Sequence, residues 1–184
     1  MFSKIDKSRL IAIKNDKILV LEKIGEKKKY SLAGGVKKKK ETDIQSLIRE
    51  TFEEIGLKLK KKELTYFLSR KNNNTKKKEI YKHYFITNTS IKNIEVLVDP
   101  SRPNQTSYAK QEGPYYLIGH FTDISKLTYT GLFDDLDWIA FCIYSDFYYQ
   151  SIELYLSNHF SQDFNQYIED NNIDLILDSV ISLS

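Results

Sequence analysis

The chain has 184 residues, of which 41% are hydrophobic and 29% charged, and its formal net charge is +3 at pH 7. These values exclude a disordered chain and fit one soluble domain, or one domain with an appendage, that can bury a core. The single Cys142 excludes an internal disulfide, and no stretch approaches the ~20 apolar residues that span a bilayer, so we expect a cytoplasmic protein without a membrane partner.

Lysine outnumbers arginine 24 to 4. A surface that reads nucleic-acid phosphates would favour arginine, so we interpret the excess of lysine as a composition bias. The mild positive charge favours anionic partners in general, and nucleic acid is not the expected one.

The first predicted elements are two β-rich runs, residues 9–14 and 17–23, with a turn-like Asn-Asp pair between them. This pattern predicts a β-hairpin. A short apolar step over residues 30–33 then leads into two glycines, and the residues that follow have the pattern of a helix.

The predicted helix begins after Thr42 and ends at Gly56. Thr42 is a good N-cap, Gln45 three residues later completes a capping box, and Gly56 supplies the C-terminal stop. At a period of 3.6 residues one face of the helix comprises Ile44, Leu47, Ile48, Thr51 and Ile55. Three acidic residues are expected on the opposite side of the helix, within an arc of roughly 100°: Glu50, Glu53 and Glu54.

Downstream of the helix, strands and loops alternate. Two strands are predicted at residues 64–70 and 79–90, with a polar loop at 71–78 between them. Residues 94–98 fit either a strand or a short helix. Residues 99–114 hold all three prolines and are predicted to form a long loop, a class that is often functional or mobile.

The glutamate face of the helix has no lysine near it, although the chain has lysine in excess. None occurs from residue 41 to residue 57. Like charges at i, i+3 and i+4 destabilise a helix by some tenths of a kcal/mol per pair, and a solvated face would dilute them with lysine. An oxygen-liganded Mg²⁺ or Mn²⁺ would supply the missing positive charge. For three glutamates considered alone, a solvated acidic face is the alternative.

The spacing around the glutamates decides between these interpretations. From Gly35 it runs Gly, five residues, Glu, seven residues, Arg-Glu, two residues, Glu-Glu, one residue and Gly, followed by the aliphatic Leu57. This pattern resembles the Nudix box, G-x5-E-x7-R-E-U-x-E-E-x-G-U with U an aliphatic residue, at all of its fixed letters. Chance agreement is on the order of 10⁻⁹ per starting position. Two departures, Thr51 at the first U position and Ala33 where many family members have proline, touch no carboxylate.

The resemblance implies the α/β Nudix fold, an α/β/α sandwich with a mixed β-sheet. From Trp138 onward the sequence is aromatic and more helical, which adds a helical C-terminal extension. The core domain would comprise residues 1–137, and the aromatic-rich, mainly helical segment 138–184 would pack on it. The implied activity is divalent-metal-dependent hydrolysis of a diphosphate linkage in a nucleoside diphosphate derivative. Candidate substrates are a nucleoside triphosphate, ADP-ribose, a nucleotide sugar or a dinucleoside polyphosphate.

The family pattern also assigns roles to residues. Glu53 and Glu54 would be ligands of Mg²⁺ or Mn²⁺, and Glu50 would be a ligand or the general base. The backbone carbonyl of Gly34 would join the metal shell, and Arg49 would orient the glutamates. The structural box positions are Gly35, Glu41 and Gly56.

Residues outside the box give weaker signals. For a further carboxylate ligand Glu112 is the first choice, with Glu79 and Glu95 behind it. The lysines at 37–40 could attract polyphosphate, but a solvated lysine run is the preferred interpretation. The acids at 134–137 are interpreted as helix-start acids. The histidines are interpreted as structural or surface residues: His83, His120 and His159. Four aromatic residues are candidates for stacking on a base, although core packing is preferred for most: Tyr115, Tyr116, Phe121 and Trp138.

Two other functions remain as alternatives to the enzyme. The chain could be a nucleotide-binding sensor or regulatory Nudix domain with little turnover, using residues 138–184 as a partner or homodimer surface. Retention of the complete glutamate set favours the enzyme. RNA 5′-end processing rests on the lysines alone, and salt-sensitive RNA binding would reveal it.

Overall fold

Strands dominate the part of the chain that the computed structural model describes, which is residues 3–14, 17–25, 30–72, 78–87, 98–123 and 180–181, with Asp137, Ala140 and Tyr144. The strands are β1 Ser3–Ile11, β2 Ile13–Lys14, β3 Lys17–Ile24, β4 Tyr30–Ser31, β5 Leu64–Asn72, β6 Lys78–Thr87, β7 Val98–Asp99, β8 Arg102–Glu112, β9 Tyr115–Asp123 and β10 Val180–Ile181. Helix α1 spans Asp43–Ile55, and a 3₁₀ turn at Lys61–Glu63 leads into β5.

The strands form two sheets. Sheet A has the order β1-β6-β5-β10, in which β1 pairs with β6 in parallel and the other pairs are antiparallel. Sheet B has the order β2-β3-β9-β8-β7, with β4 added to β3, and its pairs are antiparallel. The predicted mixed-sheet α/β architecture is therefore confirmed.

The core is divided into two clusters that lie against different helices. Helix α1 packs on β1, β8 and β9 and contributes Leu47 and Ile55 to the first cluster. The second cluster contains Ala140 and Tyr144, and Tyr144 meets Phe67 of β5 edge-on at 5.3 Å between ring centroids. Residues 140 and 144 are helical, so each cluster joins helical residues to strand residues.

Helix α1 has the ends that the sequence predicts. Thr42 accepts from Gln45 N, Gln45 accepts from Thr42 N, and Gly56 closes the helix in the left-handed region with φ 65°. Thr51, the departure from the aliphatic pattern, is fully buried and donates to Leu47 O at 2.8 Å. Its hydroxyl is satisfied within the helix, so packing is preserved.

The prediction that the three glutamates lie on the side opposite the buried face is wrong for Glu54. That residue is only 5% exposed, whereas the side chain of Glu53 is 40% exposed. At 100° per residue, position 54 falls about 60° from Thr51, which is itself buried. The buried face of α1 is thus wide enough to enclose one box glutamate.

The predicted long loop at 99–114 is also wrong, because most of it forms β8. This strand pairs with β7 on one edge and β9 on the other. Its side chains are mostly exposed, so apolar alternation is weak. The prolines stand where strands begin or end: Pro100 follows β7, Pro103 is the second residue of β8, and Pro114 lies in the turn to β9.

The other strand predictions hold in outline. Residues Ile13–Lys14 and Lys17–Ile18 pair as the predicted hairpin. The first residues of the predicted run, 9–11, belong instead to β1, which pairs with β6 in sheet A. The strands predicted at 64–70 and 79–90 are β5 and β6. Residues 73–77, 88–97 and most of 138–184 lie outside the described residues. In the described part of the chain, no helix is long and apolar enough to cross a membrane.

Candidate active site

Backbone hydrogen bonds hold the double glycine against β1. Leu10 N donates to Ala33 O at 2.9 Å, and Ser8 N donates to Gly35 O at 3.0 Å. Gly34 lies between these bonds with a φ of +134°, a conformation that strains any residue with a side chain. A Cβ at residue 34 would also overlap the carbonyl group of Ser8. The close approach of the two segments therefore requires glycine at this position.

Glu54 is the most enclosed of the box glutamates. Gly34 N donates to Glu54 Oε2 at 2.9 Å. Burial raises the pKa of the Glu54 carboxyl to about 7, although the charge of Arg9 and the hydrogen bond from Gly34 act to lower it. A carboxyl in this environment is stabilised in its charged form by nearby positive charge, which a bound cation would supply.

The missing side chain of Gly35 makes room for Glu50. A Cβ at residue 35 would lie 2.5 and 2.7 Å from the two carboxyl oxygens of Glu50, well inside an ordinary contact distance. The Glu50 side chain is 13% exposed. The carboxylates of Glu50 and Glu54 thus lie against the same backbone segment, Gly34 and Gly35.

Arg49 joins three box carboxylates. Its Nε and Nη2 donate to the two oxygens of Glu41 at 2.6 and 3.0 Å, and its Nη1 donates to Glu50 at 2.7 Å and to Glu53 at 3.2 Å. Nη2 also donates to Val36 O at 3.0 Å. The Arg49 hydrogen bond is the main reason that the pKa of Glu41 falls to about 2, and the same bond raises the pKa of Arg49.

Further positive charge reaches the glutamates from the sheets. Lys110 of β8 places its Nζ 3.9 Å from Glu53 Oε2, and the charge of Arg9 acts on Glu54. The negative charge of the glutamates in the lysine-free segment is therefore balanced in part by Arg9 and Lys110, which lie on strands distant in sequence. No spacing within the box could have indicated these two residues.

The box glutamates face a cavity of about 540 Å³ whose walls come from α1 and both sheets. The carboxylates that line it are Glu50, Glu53, Glu54, Glu112 and Asp137. The basic residues that line it are Lys7, Arg9, Lys23, Lys38, Arg49, Lys82 and Lys110. Glu112, the first choice for an additional ligand, thus reaches the same cavity as the box. Glu79 instead pairs with Lys71 at 2.8 Å in sheet A, and Glu95 lies outside the described residues.

Asp137 is the one described residue of the acids interpreted as helix-start acids, and it is helical. It is fully buried and accepts from Tyr84 OH at 2.7 Å, from Lys82 Nζ at 3.2 Å and from Leu32 N at 3.1 Å. Arg9 Nε lies 3.7 Å from its second oxygen. The carboxylate therefore meets side chains of β1 and β6 and the backbone of Leu32, which follows β4.

The lysine run at 37–40 is not uniformly solvated. Lys37 Nζ lies 3.1 Å from Asp43 Oδ1 and 3.5 Å from Asp6 Oδ2, so the interpretation as a solvated run is wrong for this residue. Lys38 lines the cavity, and its backbone N donates to Glu41 Oε2 at 2.9 Å. Residues 39 and 40 are exposed.

The described histidines pair within the strands. His83 lies with Nδ1 2.6 Å from Ser69 Oγ and Nε2 2.8 Å from Asp6 Oδ1, and it joins three strands of sheet A. His120 pairs with Glu22 across β9 and β3. These two confirm the interpretation as structural or surface residues, and His159 lies outside the described part of the chain.

Among the stacking candidates, Tyr115 alone is a described residue that lines the cavity. Lys23 Nζ lies 4.9 Å from the centroid of its ring. Phe121 is buried in the core, Tyr116 is 48% exposed, and Trp138 lies outside the described residues.

The chemistry of the cavity fits a hard divalent cation. Its described acidic side chains offer carboxylate oxygens, with no imidazole or thiol among the described lining residues, and oxygen donors suit Mg²⁺ and Mn²⁺. In the described part of the chain no three potential ligands already converge on one point. Glu50 and Glu53 each accept from Arg49 through one oxygen, and Glu54 accepts from Gly34 through one oxygen, so ligation through the other carboxylate oxygen is compatible with these hydrogen bonds.

Comparisons with known proteins point to one family. The family model described as NUDIX domain matches residues 5–105. A MutT NUDIX hydrolase from Burkholderia pseudomallei is similar in structure, with 13% identity, a TM-score of 0.55, and coverage of 76% of this chain and 96% of that protein. A structure titled UDP-X diphosphatase gives 16% identity and a TM-score of 0.51, with 79% and 64% covered.

Escherichia coli ORF135 gives 22% identity and a TM-score of 0.41 over 48% of this chain and 63% of that one. The chain thus spans under two thirds of the length of two of these three proteins. A comparison with curated protein sequences found no match. At these identities the structural likeness concerns the fold.

Proposed function

The chain belongs to the Nudix family of pyrophosphohydrolases, and from this premise we propose that it hydrolyses a diphosphate linkage in a nucleoside diphosphate derivative. The substrate would be a nucleoside triphosphate, ADP-ribose or a nucleotide sugar. Water adds its oxygen to one phosphorus and gives up a proton, while the bridging oxygen leaves with the other phosphoryl group, so water is the only co-substrate needed. The observation that carries the proposal is the convergence of Glu50, Glu53, Glu54 and Glu112 on one cavity.

We assign the metal site to the carboxylates of Glu50, Glu53 and Glu54, the carbonyl of Gly34 and the carboxylate of Glu112. The metal would be Mg²⁺ or Mn²⁺. When bound, such an ion neutralises phosphate oxygens and lowers the pKa of a coordinated water. Ala33 and Gly35 give their carbonyls to β1, and Gly34 lies between them beside Glu54, which supports its assignment.

The other residues of the box position this carboxylate set. Arg49 holds the side chains of Glu50 and Glu53 through one nitrogen, Nη1, and is itself fixed by both oxygens of Glu41. Lys38 N anchors Glu41 from the other side. This chain of charge-assisted bonds restricts the rotamers of the catalytic carboxylates, and general-base transfer of a proton to Glu50 needs such alignment.

Glu53→Gln tests the proposal. Phosphate-coupled hydrolysis would be measured on nucleoside triphosphates, ADP-ribose, nucleotide sugars and dinucleoside polyphosphates with Mg²⁺ or Mn²⁺. We expect turnover of one class, reduced about 10²- to 10³-fold in the variant. The Glu53 side chain is 40% exposed, so the fold should be retained. Glu79→Gln is the matched control, because that carboxylate pairs with Lys71 in sheet A.

The possible results separate the enzyme from the sensor. Full activity in Glu53→Gln would contradict the site assignment. No turnover of any substrate, combined with a higher melting temperature in the presence of one nucleotide, would favour the alternative of a nucleotide-binding regulatory domain. Use of residues 138–184 as a homodimer or partner surface would then become the next question.

A further inference from the structure

Strand β8 contains a β-bulge where it pairs with β9. The register partners are Gln105 and His120 before the bulge, and Ala109 and Ile118 after it. Three residues of β8 therefore stand opposite Gly119 alone, where a regular antiparallel ladder would place one residue. The two extra residues shift the rest of β8 along β9. Bulges of this kind occur next to active sites, where they redirect side chains.

The hydroxyl of Thr106 holds the bulge together. Its Oγ1 accepts from Gly119 N at 3.2 Å and donates to Tyr108 O at 3.2 Å. The side chain thus bonds backbone groups of both strands within the bulge, and the residue is only 4% exposed. Buried backbone groups require hydrogen-bond partners, so the bulge would rearrange if Gly119 N lost this acceptor.

The bulge lies against the last turn of α1. A Cβ at Gly119 would be 2.9 Å from Ile55 Cγ2 and 2.9 Å from Thr106 Cγ2, so the strands and the helix meet closely at this glycine. Ile55 directly follows Glu54 in the box. The bulge is therefore packed against the helix that carries the box glutamates, and the residues of β8 beyond it are placed relative to that helix.

The shift of register brings two charged residues of β8 to the cavity. Lys110 is the register partner of Leu117. Glu112 is the register partner of Tyr115, and all four residues line the cavity. A ladder without the extra residues would pair Lys110 with Tyr115, about 7 Å further along β9. Lys110 Nζ lies 3.9 Å from Glu53 Oε2, and a displacement of that size would break this contact.

We infer that Thr106 is a positioning residue of the active site, and that it fixes Lys110 and Glu112 beside the box glutamates by holding the bulge in shape. This inference rests on the proposed function and adds to it a residue outside the cavity, since Thr106 does not line it. Lys110 contacts Glu53, and Glu112 reaches the proposed metal site, only while the bulge keeps its hydrogen bonds.

Binding of Mn²⁺ tests the inference without requiring turnover. The Kd of the full chain for Mn²⁺ would be measured from the electron paramagnetic resonance signal of the free ion. Thr106→Val removes the hydroxyl but keeps the size of the side chain, and we expect the Kd to rise about tenfold. Thr106→Ser keeps the hydroxyl and should remain within about threefold of wild type. Ser107→Ala is the matched control, because it removes an exposed hydroxyl from the same bulge.

A double-mutant cycle separates positioning from a general loosening of the fold. In the Glu112→Gln background the carboxylate that the bulge places is already absent. Thr106→Val should therefore raise the Kd for Mn²⁺ by less than about threefold in that background. A general defect of the fold would raise the Kd by the same factor in both backgrounds.

The outcomes distinguish this inference from the proposed function. An unchanged Kd in Thr106→Val, an equal loss in Thr106→Ser or Ser107→Ala, or equal factors in the two backgrounds would overturn the inference even if hydrolysis were normal. The expected pattern of Kd values without hydrolysis of any nucleotide would contradict the proposed function and support the inference. No binding of Mn²⁺ by the wild-type chain would overturn both.

Discussion

Alanine at Gly35 and alanine at Gly34 should have different effects: the first should lower activity, and the second should lower stability. Gly35 lies outside the left-handed region, so its backbone conformation does not exclude alanine. Its Cβ would nevertheless lie 2.5 and 2.7 Å from the oxygens of Glu50, where 3.4 Å is the shortest ordinary contact. The Glu50 carboxylate must therefore retreat by close to 1 Å. A misplacement of about 1 Å costs a catalytic group on the order of 10²-fold in rate.

Gly34→Ala should instead destabilise the fold. The left-handed φ and the overlap with the Ser8 carbonyl group together cost about 3 kcal/mol or more, because the obstacle is backbone that cannot turn aside. For a chain of this length that corresponds to a fall in Tm of about 6–12 °C. Thermal unfolding and metal-dependent hydrolysis of both variants give the comparison.

The reasoning would be refuted by either of two results. If Gly35→Ala kept kcat within about threefold of wild type at an unchanged Tm, Glu50 would not be held in a position that matters for the reaction. If Gly34→Ala melted within about 2 °C of wild type, the crossing with β1 would not require glycine.

Two further predictions concern the charged network of the box. Arg49→Lys should lower kcat about 10- to 100-fold without unfolding the protein, because an ammonium cannot reproduce the two bonds to Glu41 while also holding Glu50 and Glu53; steady-state kinetics and Tm would show this, and wild-type kcat would contradict it. The pKa of Glu41 is lowered from 4.5 to about 2 in the folded chain, so its contribution to stability is complete above about pH 4.5 and is lost as the pH falls towards about 2. Urea unfolding midpoints should fall less steeply over that range in Glu41→Gln than in wild type, and identical slopes would argue against the pairing.

The helix and its box could be predicted because their signals are local. The cap at Thr42, the stop at Gly56 and the 3.6-residue period lie within one short segment. The helix in the structure has the same cap and the same stop. Strand β8 was missed because its exposed side chains lack alternation, and its place is set by pairing with β7 and β9. Propensity alone does not record such pairing.

The buried contacts of Asp137 could not be predicted for a different reason. Asp137 bonds Leu32, Lys82 and Tyr84 at sequence separations of 105, 55 and 53 residues. No periodicity connects positions so far apart. The acidic run that contains Asp137 has the composition of a helix start, and only tertiary contacts show that its carboxylate is turned towards the sheets.

These long separations bear on how the protein forms during synthesis. At about 5–20 residues per second, Asp137 leaves the ribosome roughly 5–20 s after Leu32. In that interval β1, β6 and α1 can be complete while Asp137, whose carboxylate meets Arg9 and Lys82 in the folded chain, has not yet been synthesised. We therefore expect nascent chains that end before residue 137 to remain open and sensitive to proteases, with protection appearing when the acid arrives.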